Sequence, residues 1–296
     1  MAQQTRRKPN SPKKGGTTSS KGTQTGVIVA AVSLVVVVAV VATFILVKIN
    51  RGAASTNSSS SGLASASLVQ AVTTVPNSSL AQATVPIGSI TLPTPINGGQ
   101  QLSSAGKPVI LYMGADYCPY CAAQRWPLIV ALSKFGTFKN LHTTSSSSTD
   151  VYPNTQTFSF YGSSYSSPYV DFQSVEMQNN VASNGSYTTL QTPTPLQSQL
   201  FAKYDQPPYA ATATGIPFID FANQYVDSGP AYSPSVLAGL SRSSIAGSLT
   251  IIGTVTNSAI LPSANLLIAT ICKIDNGQPG SVCSIPAVKT VISNLK

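Results

Sequence analysis

Pro108-Val-Ile-Leu-Tyr-Met113, Gly114-Ala-Asp-Tyr117 and Cys118-Pro-Tyr-Cys121 run on without a break, and their order decides how this chain is read. The first block is a continuous apolar run suited to a strand covered on both faces. The second turns the chain. The third places two cysteines, spaced by two residues, at the opening of a helix, with Pro119 where its missing N–H costs little. At such a position the first sulfur meets unpaired backbone N–H groups and the positive helix end, which favour thiolate. The second sulfur sits one turn on, close enough to close a small disulfide ring. The spacing predicts a helix through Gln124, Arg125, Leu128, Ile129 and Leu132, stopping near Gly136, with a kink at Pro127.

Downstream, residues 138–143 read as a second, shorter strand, and residues 144–200 read as an insertion. Within it, 157–161 and 169–177 alternate and are expected to form a β-hairpin with a long connection. Residues 196–204 suit a short helix. Gly215-Ile-Pro-Phe-Ile-Asp-Phe221 is an alternating strand with Pro217 at its mouth, the place where a strand tolerates proline. Ser233-Pro234 is expected to cap a helix reaching Ser248. Further helices are expected over 261–274 and 285–295. Residues 107–296 thus form one α/β domain, long enough to bury a core.

Upstream the composition changes. Between Gly52 and Gly106 there is no Lys, Arg, Asp or Glu, and Ser, Ala, Thr, Gly and Pro dominate, so residues 50–106 are expected to be a disordered linker. Residues 27–47 are Val, Ala, Leu, Ile and Phe interrupted only by Ser33 and Thr43. At about 1.5 Å per residue this run spans a hydrocarbon core of roughly 30 Å, and it is too long for a cleaved signal peptide. A transmembrane helix over 26–49 is expected, behind a basic tail over 1–25. Six basic residues precede the span and two follow it, which puts the N-terminus in the cytoplasm and the domain outside. The net charge of +9 divides into eight basic residues before Gly52 and nearly balanced charge afterwards, so it does not describe a nucleic-acid surface. Sequons at Asn57, Asn77 and Asn184 and all four cysteines fall on the expected outer side.

The order of strand, dithiol, helix, strand, insertion and Pro-led strand resembles the thioredoxin-like superfamily. That resemblance implies Cys118 as nucleophile, Cys121 as the resolving thiol, and a cis-Pro217 facing them. With Ile216, Tyr117 and Tyr120, Pro217 would line the groove that takes substrate backbone. The Pro-Tyr dipeptide is similar to that of many glutaredoxins, and the long insertion is similar to that of periplasmic DsbA oxidases. Tyr117 stands where thioredoxins usually carry Trp. The blocks Tyr-Met-Gly-Ala-Asp-Tyr-Cys-Pro-Tyr-Cys at 112–121 and Phe-Tyr-Gly-Ser-Ser-Tyr-Ser-Ser-Pro-Tyr at 160–169 resemble a membrane-anchored thioredoxin-like family known as domain of unknown function nine-two-nine.

Each candidate residue has a plainer reading beside the chemical one. Cys118 and Cys121 could be a structural disulfide or half of a zinc site. Zinc asks for four ligands, and this chain offers one histidine, His142, and a second cysteine pair with ten residues between, so no metal is expected. Cys272 and Cys283 enclose a turn-rich loop, which suits a structural staple; a relay disulfide exchanging with Cys118 is the alternative. Asp116 could act as acid or base for Cys121, or be a solvated turn residue. Arg125 could favour the Cys118 thiolate, or sit on the helix surface. His142 reads as a strand-end residue. The tyrosines of 152–187 could line a groove or pack a hairpin.

Two function classes remain. One is an anchored extracytoplasmic thiol–disulfide oxidoreductase, serving cysteine-containing exported proteins and re-oxidised by a membrane redox partner. No flavin or nucleotide motif is present, so no cofactor is expected. The other is a surface module that binds peptide or a partner while its dithiol stays closed.

Overall fold

The computed structural model describes residues 62–296 apart from 89, 211, 212 and 214; the basic tail, the expected transmembrane helix and the sequon at Asn57 lie outside the described residues. A central sheet positions the dithiol. Its strands are β2 (Thr94–Pro95), β4 (Lys107–Gly114), β9 (Asp171–Glu176), β12 (Phe218–Phe221) and β13 (Tyr225–Ser228), with the short β3 (Ser103–Ser104) paired to the start of β4. β4 lies between β9, parallel from Val109 opposite Asp171 to Gly114 opposite Glu176, and β12, antiparallel from Met113 opposite Phe218. β13 follows by a hairpin, and β2 pairs with its far edge.

Alternation along β4 feeds two cores. Ile110 and Tyr112 face the dithiol helix, α3 (Pro119–Leu132), and the long α6 (Val255–Ile274). Leu111 and Met113 face α4 (Pro195–Tyr204) through Leu200 and Tyr204. α6 is long and apolar enough to cross a membrane by length and composition, but most of its surface is buried, as in a core helix.

Pro127 leaves α3 unbroken, because the Ala123 carbonyl that loses its helical partner accepts the Tyr232 hydroxyl at 2.7 Å. α6 runs to Ile274 as expected, but it starts at Val255. The expected last helix shortens to α8 (Pro286–Ile292).

Four expectations are corrected. The linker expected over 50–106 is folded from Gly62 onward: α1 (Ala66–Thr73), α2 (Asn77–Gln82) and the turn between them bury Val72, Leu80 and Val75 against the core. Their lack of charge accompanies helices that each seat one buried side chain on the core, not a solvated chain. Ser65 caps α1, and Asn265 on α6 donates to the carbonyls of Leu80 and Ala83 at 2.8 and 2.6 Å.

The insertion expected over 144–200 holds β9, a strand of the central sheet. Its alternation is real, yet its partner is β4, not residues 157–161. Instead β7 (Gln156–Ser159) pairs with β6 (His142–Ser145), and a hairpin of β10 (Gln178–Ser183) and β11 (Ser186–Thr189) follows β9. The strand expected over 138–143 divides at Asn140, which has φ 55°, into β5 (Thr137–Lys139), paired with β8 (Ser164–Ser166), and β6, paired with β1 (Gly62–Leu63). Finally, the helix expected from Ser233 to Ser248 is two pieces. A 3₁₀ turn, Pro234–Leu237, ends before Gly239 at φ 71°, and Ser241 caps α5 (Arg242–Ser248) anew.

Candidate functional site

Cys118 is the N-cap of α3, in extended conformation with φ −77° and ψ 120°, and Pro119 takes the first helical position. Its sulfur accepts the Cys121 amide at 3.2 Å. On the other side the Cys118 thiol points at the Ile216 carbonyl, 3.7 Å away. The Ile216–Pro217 bond is cis and opens β12, the antiparallel neighbour of the strand that delivers the dithiol. Cys118, Cys121, Ile216 and Pro217 are therefore brought together from residues almost a hundred positions apart.

The two thiols, both free, differ in electrostatics. Cys118 is 4% exposed and Cys121 is closed at 0%. The Cys121 thiol hydrogen bond draws the Cys118 pKa below the ordinary thiol value against the opposing effect of burial, with help from the Cys121 amide and the Arg125 charge. Burial pushes the Cys121 thiol well up, and the neighbouring Cys118 adds to it. The two thiols are thus pushed apart, Cys118 toward thiolate and Cys121 toward the protonated form.

Beneath the pair lies a buried ion cluster. Arg125, one helical turn beyond Cys121, is fully buried, which corrects the helix-surface reading. Its Nε and Nη2 donate to the two Glu176 oxygens at 2.8 and 2.5 Å, and Nη2 also donates to the Ala115 carbonyl at 2.8 Å. Asp116 shares this cation at 3.6 Å and is 6% exposed, so it is not a solvated turn residue. With Glu176 holding both prongs, burial raises the Asp116 pKa to about 6, while Arg125 opposes the rise. Glu176 was not among the residues singled out from sequence. Only its place at the end of an alternating apolar strand marks it.

Tyrosines form the rim. Tyr117 stacks on Tyr187 with ring centroids 4.2 Å apart and planes 4° apart. Tyr120 is 38% exposed and meets Tyr152 edge-on at 6.0 Å. The β10–β11 hairpin that carries Tyr187 is tied to the dithiol turn, since the Asp116 amide donates to the Gln178 carbonyl at 2.9 Å. These tyrosines pack the hairpin and border the site at once.

Cys272 and Cys283 form a disulfide that links the end of α6 to the short α7 (Gly280–Cys283). Asp275 lies near both sulfurs, but they are bonded to each other. His142 begins β6 beside Gly162, away from any carboxylate cluster among the described residues.

Residues 96–273 match the family described as "Domain of unknown function (DUF929)", more than half of the chain. The chain belongs to the DUF929 family. The DUF929 match takes in the dithiol, Arg125, Glu176, Ile216 and Pro217, while α1, α2 and Cys283 lie outside it. No curated protein and no solved structure matches the chain.

Proposed function

We propose that this DUF929 protein is a thiol–disulfide oxidoreductase on a thioredoxin-like scaffold, held in the cell membrane by residues 27–47 with its folded part outside. It forms or isomerises disulfides in exported proteins. The observation that carries the reading is the asymmetry of the pair. Cys118 caps a helix, accepts the Cys121 amide and is drawn toward thiolate, while Cys121 is closed and held protonated. The strand order β9–β4–β12–β13, with its parallel and antiparallel senses, supports the thioredoxin-like scaffold.

In the oxidising direction a substrate thiolate attacks Sγ of Cys118 in the Cys118–Cys121 disulfide. A mixed disulfide forms, and Cys121 leaves as a thiolate that takes up a proton. A second substrate thiolate then attacks the substrate sulfur of the mixed disulfide. Product leaves oxidised by two electrons, and the enzyme is left as the dithiol. Re-oxidation passes those two electrons to a membrane partner, such as a quinone-linked protein kept near by the anchor. The Ile216 carbonyl lies where it can orient the sulfur that carries the mixed disulfide.

The full chain should oxidise a reduced test protein, and Cys118→Ala should abolish that activity. Cys121→Ser should accumulate mixed disulfides through Cys118. A Cys118→Ala variant that works at the wild-type rate would rule the mechanism out and leave a binding module.

A further inference from the structure

The segment between α5 and α6 exposes its largest side chains. Ile251, Ile252 and Val255, the last being the first residue of α6, are 57%, 62% and 71% exposed, although Ile245 of α5 and Ile260 and Leu261 of α6 are buried. The turn that presents them is held from within. The Ile251 amide donates to the Ser248 carbonyl, the Thr254 amide and hydroxyl return to Ile251, and Asn257 donates to the Leu249 carbonyl at 2.6 Å. Gly253, with φ 82°, allows the reversal. Three bulky apolar side chains therefore stand out from a turn whose shape is held by these few hydrogen bonds, as a shallow contact with the bilayer interface allows.

The stretch of chain that presents them carries no charge. From Ser243 to Cys272 there is no Lys, Arg, Asp, Glu or His. The position in the chain is also telling. Gly62, the first described residue, pairs with Thr143, and the next residue, Thr144, accepts Arg242 at the start of α5 at 2.7 Å. α5 is seven residues long, about 10 Å at 1.5 Å per residue, so the turn lies within roughly 30 Å of Gly62. Only fourteen residues, 48–61, separate Gly62 from the apolar run, a reach of at most about 50 Å.

We propose that Ile251, Ile252 and Val255 insert into the interface of the lipid bilayer in which the chain is anchored, giving the folded unit a second, peripheral membrane contact. The proposal rests on the anchor reading above. A single apolar turn binds bilayers weakly by itself, but a tether keeps it at high local concentration. With no cation from Ser243 to Cys272, the contact is with the acyl boundary and is indifferent to lipid headgroup charge.

The full chain, reconstituted into phosphatidylcholine vesicles with brominated acyl chains, tests this through tryptophan quenching. The native Trp126 is 0% exposed and supplies a steady background. Ile252→Trp should lose at least about twofold of its added emission to the bromines, equally with and without phosphatidylglycerol, as expected for a side chain about 5–10 Å into the interface. Ala202→Trp, on exposed α4 across the central sheet, should lose almost none.

A chain that fails to float with the vesicles removes the anchor and the proposal together. A chain that floats while Ile252→Trp stays unquenched removes the lipid contact alone. Quenching that requires anionic lipid overturns the acyl-boundary contact. Shielding seen only in native membranes, and not in pure lipid, assigns the turn to a protein partner and also overturns the proposal.

Discussion

Arg125 and Glu176 form a doubly bonded ion pair, both side chains at 0% exposure, one helical turn beyond Cys121. It ties the dithiol helix to β9 and, through the Ala115 carbonyl, to the turn that carries Cys118. Removing one member leaves the other charge buried and unpaired, which costs about 3–5 kcal/mol. Glu176→Ala should lower the thermal midpoint by about 10 °C, at roughly 2–4 °C per kcal/mol for a domain of this size. The double change Arg125→Met with Glu176→Leu should recover most of that loss. A Glu176→Ala midpoint within a degree of wild type would mean the pair does not hold the site.

The fold should be more stable in mild acid than in mild base. Burial raises Asp227 to about 7 and Asp116, Asp220 and Asp275 to about 6. Unfolded aspartates release their protons near about 3.9, so between these values the folded state holds the extra protons. The stability these groups contribute is complete below about pH 4 and is lost as pH rises through 6 to 7. Denaturant midpoints should therefore fall from pH 5 to pH 8, and Asp227→Asn should flatten part of the fall. Its side chain is only partly covered, so hydration screens the penalty and the gain at pH 8 should be about 2 kcal/mol. A midpoint that is flat or rises over this range would contradict the account.

Gly114 ends β4 where a Cβ would stand 2.2 Å from the Tyr112 hydroxyl. Tyr112 is 0% exposed and cannot swing out. Gly114→Ala should destabilise by about 2 kcal/mol through overpacking, and Tyr112→Phe in the same chain should relieve only part of it, because ring Cζ and Cε1 still stand 2.6 and 2.9 Å from the new Cβ. Equal stability of Gly114→Ala and wild type in chemical denaturation would disprove the clash.

The Cys272–Cys283 bridge closes a span of 11 residues, which in the loop-entropy view contributes about 3 kcal/mol. Replacing both by Ser should cost that much stability and leave the rate of substrate oxidation intact. Loss of activity at unchanged stability would instead make the bridge a relay for Cys118.

What was legible in the sequence was local. The run from Pro108 to Leu132 announced a strand, a turn and a capped helix because each signal lies within a few residues of the next. Ser233 and Gly239 show the limit: a Ser-Pro start was read correctly, but a left-handed glycine and a second cap at Ser241 divide the helix. Glu176 stayed hidden because parallel pairing joins β9 to β4 across more than fifty residues, and alternation names no partner. The absence of charge before Gly106 pointed to a solvated linker, although Leu68, Val69 and Val72 already stood at helical spacing. A fragment cut near Gln101 would therefore lose α1 and α2 from the core.

The central claim is that Cys118 and Cys121 exchange electrons with substrate, and their reduction potential tests it most directly. The full chain in detergent would be equilibrated against glutathione and the fraction oxidised read by alkylation and mass. Stabilisation of the Cys118 thiolate favours the dithiol, so a potential between about −120 and −180 mV is expected for a protein that forms or isomerises disulfides. A pair that stays oxidised below about −300 mV would be a structural disulfide and would contradict the account.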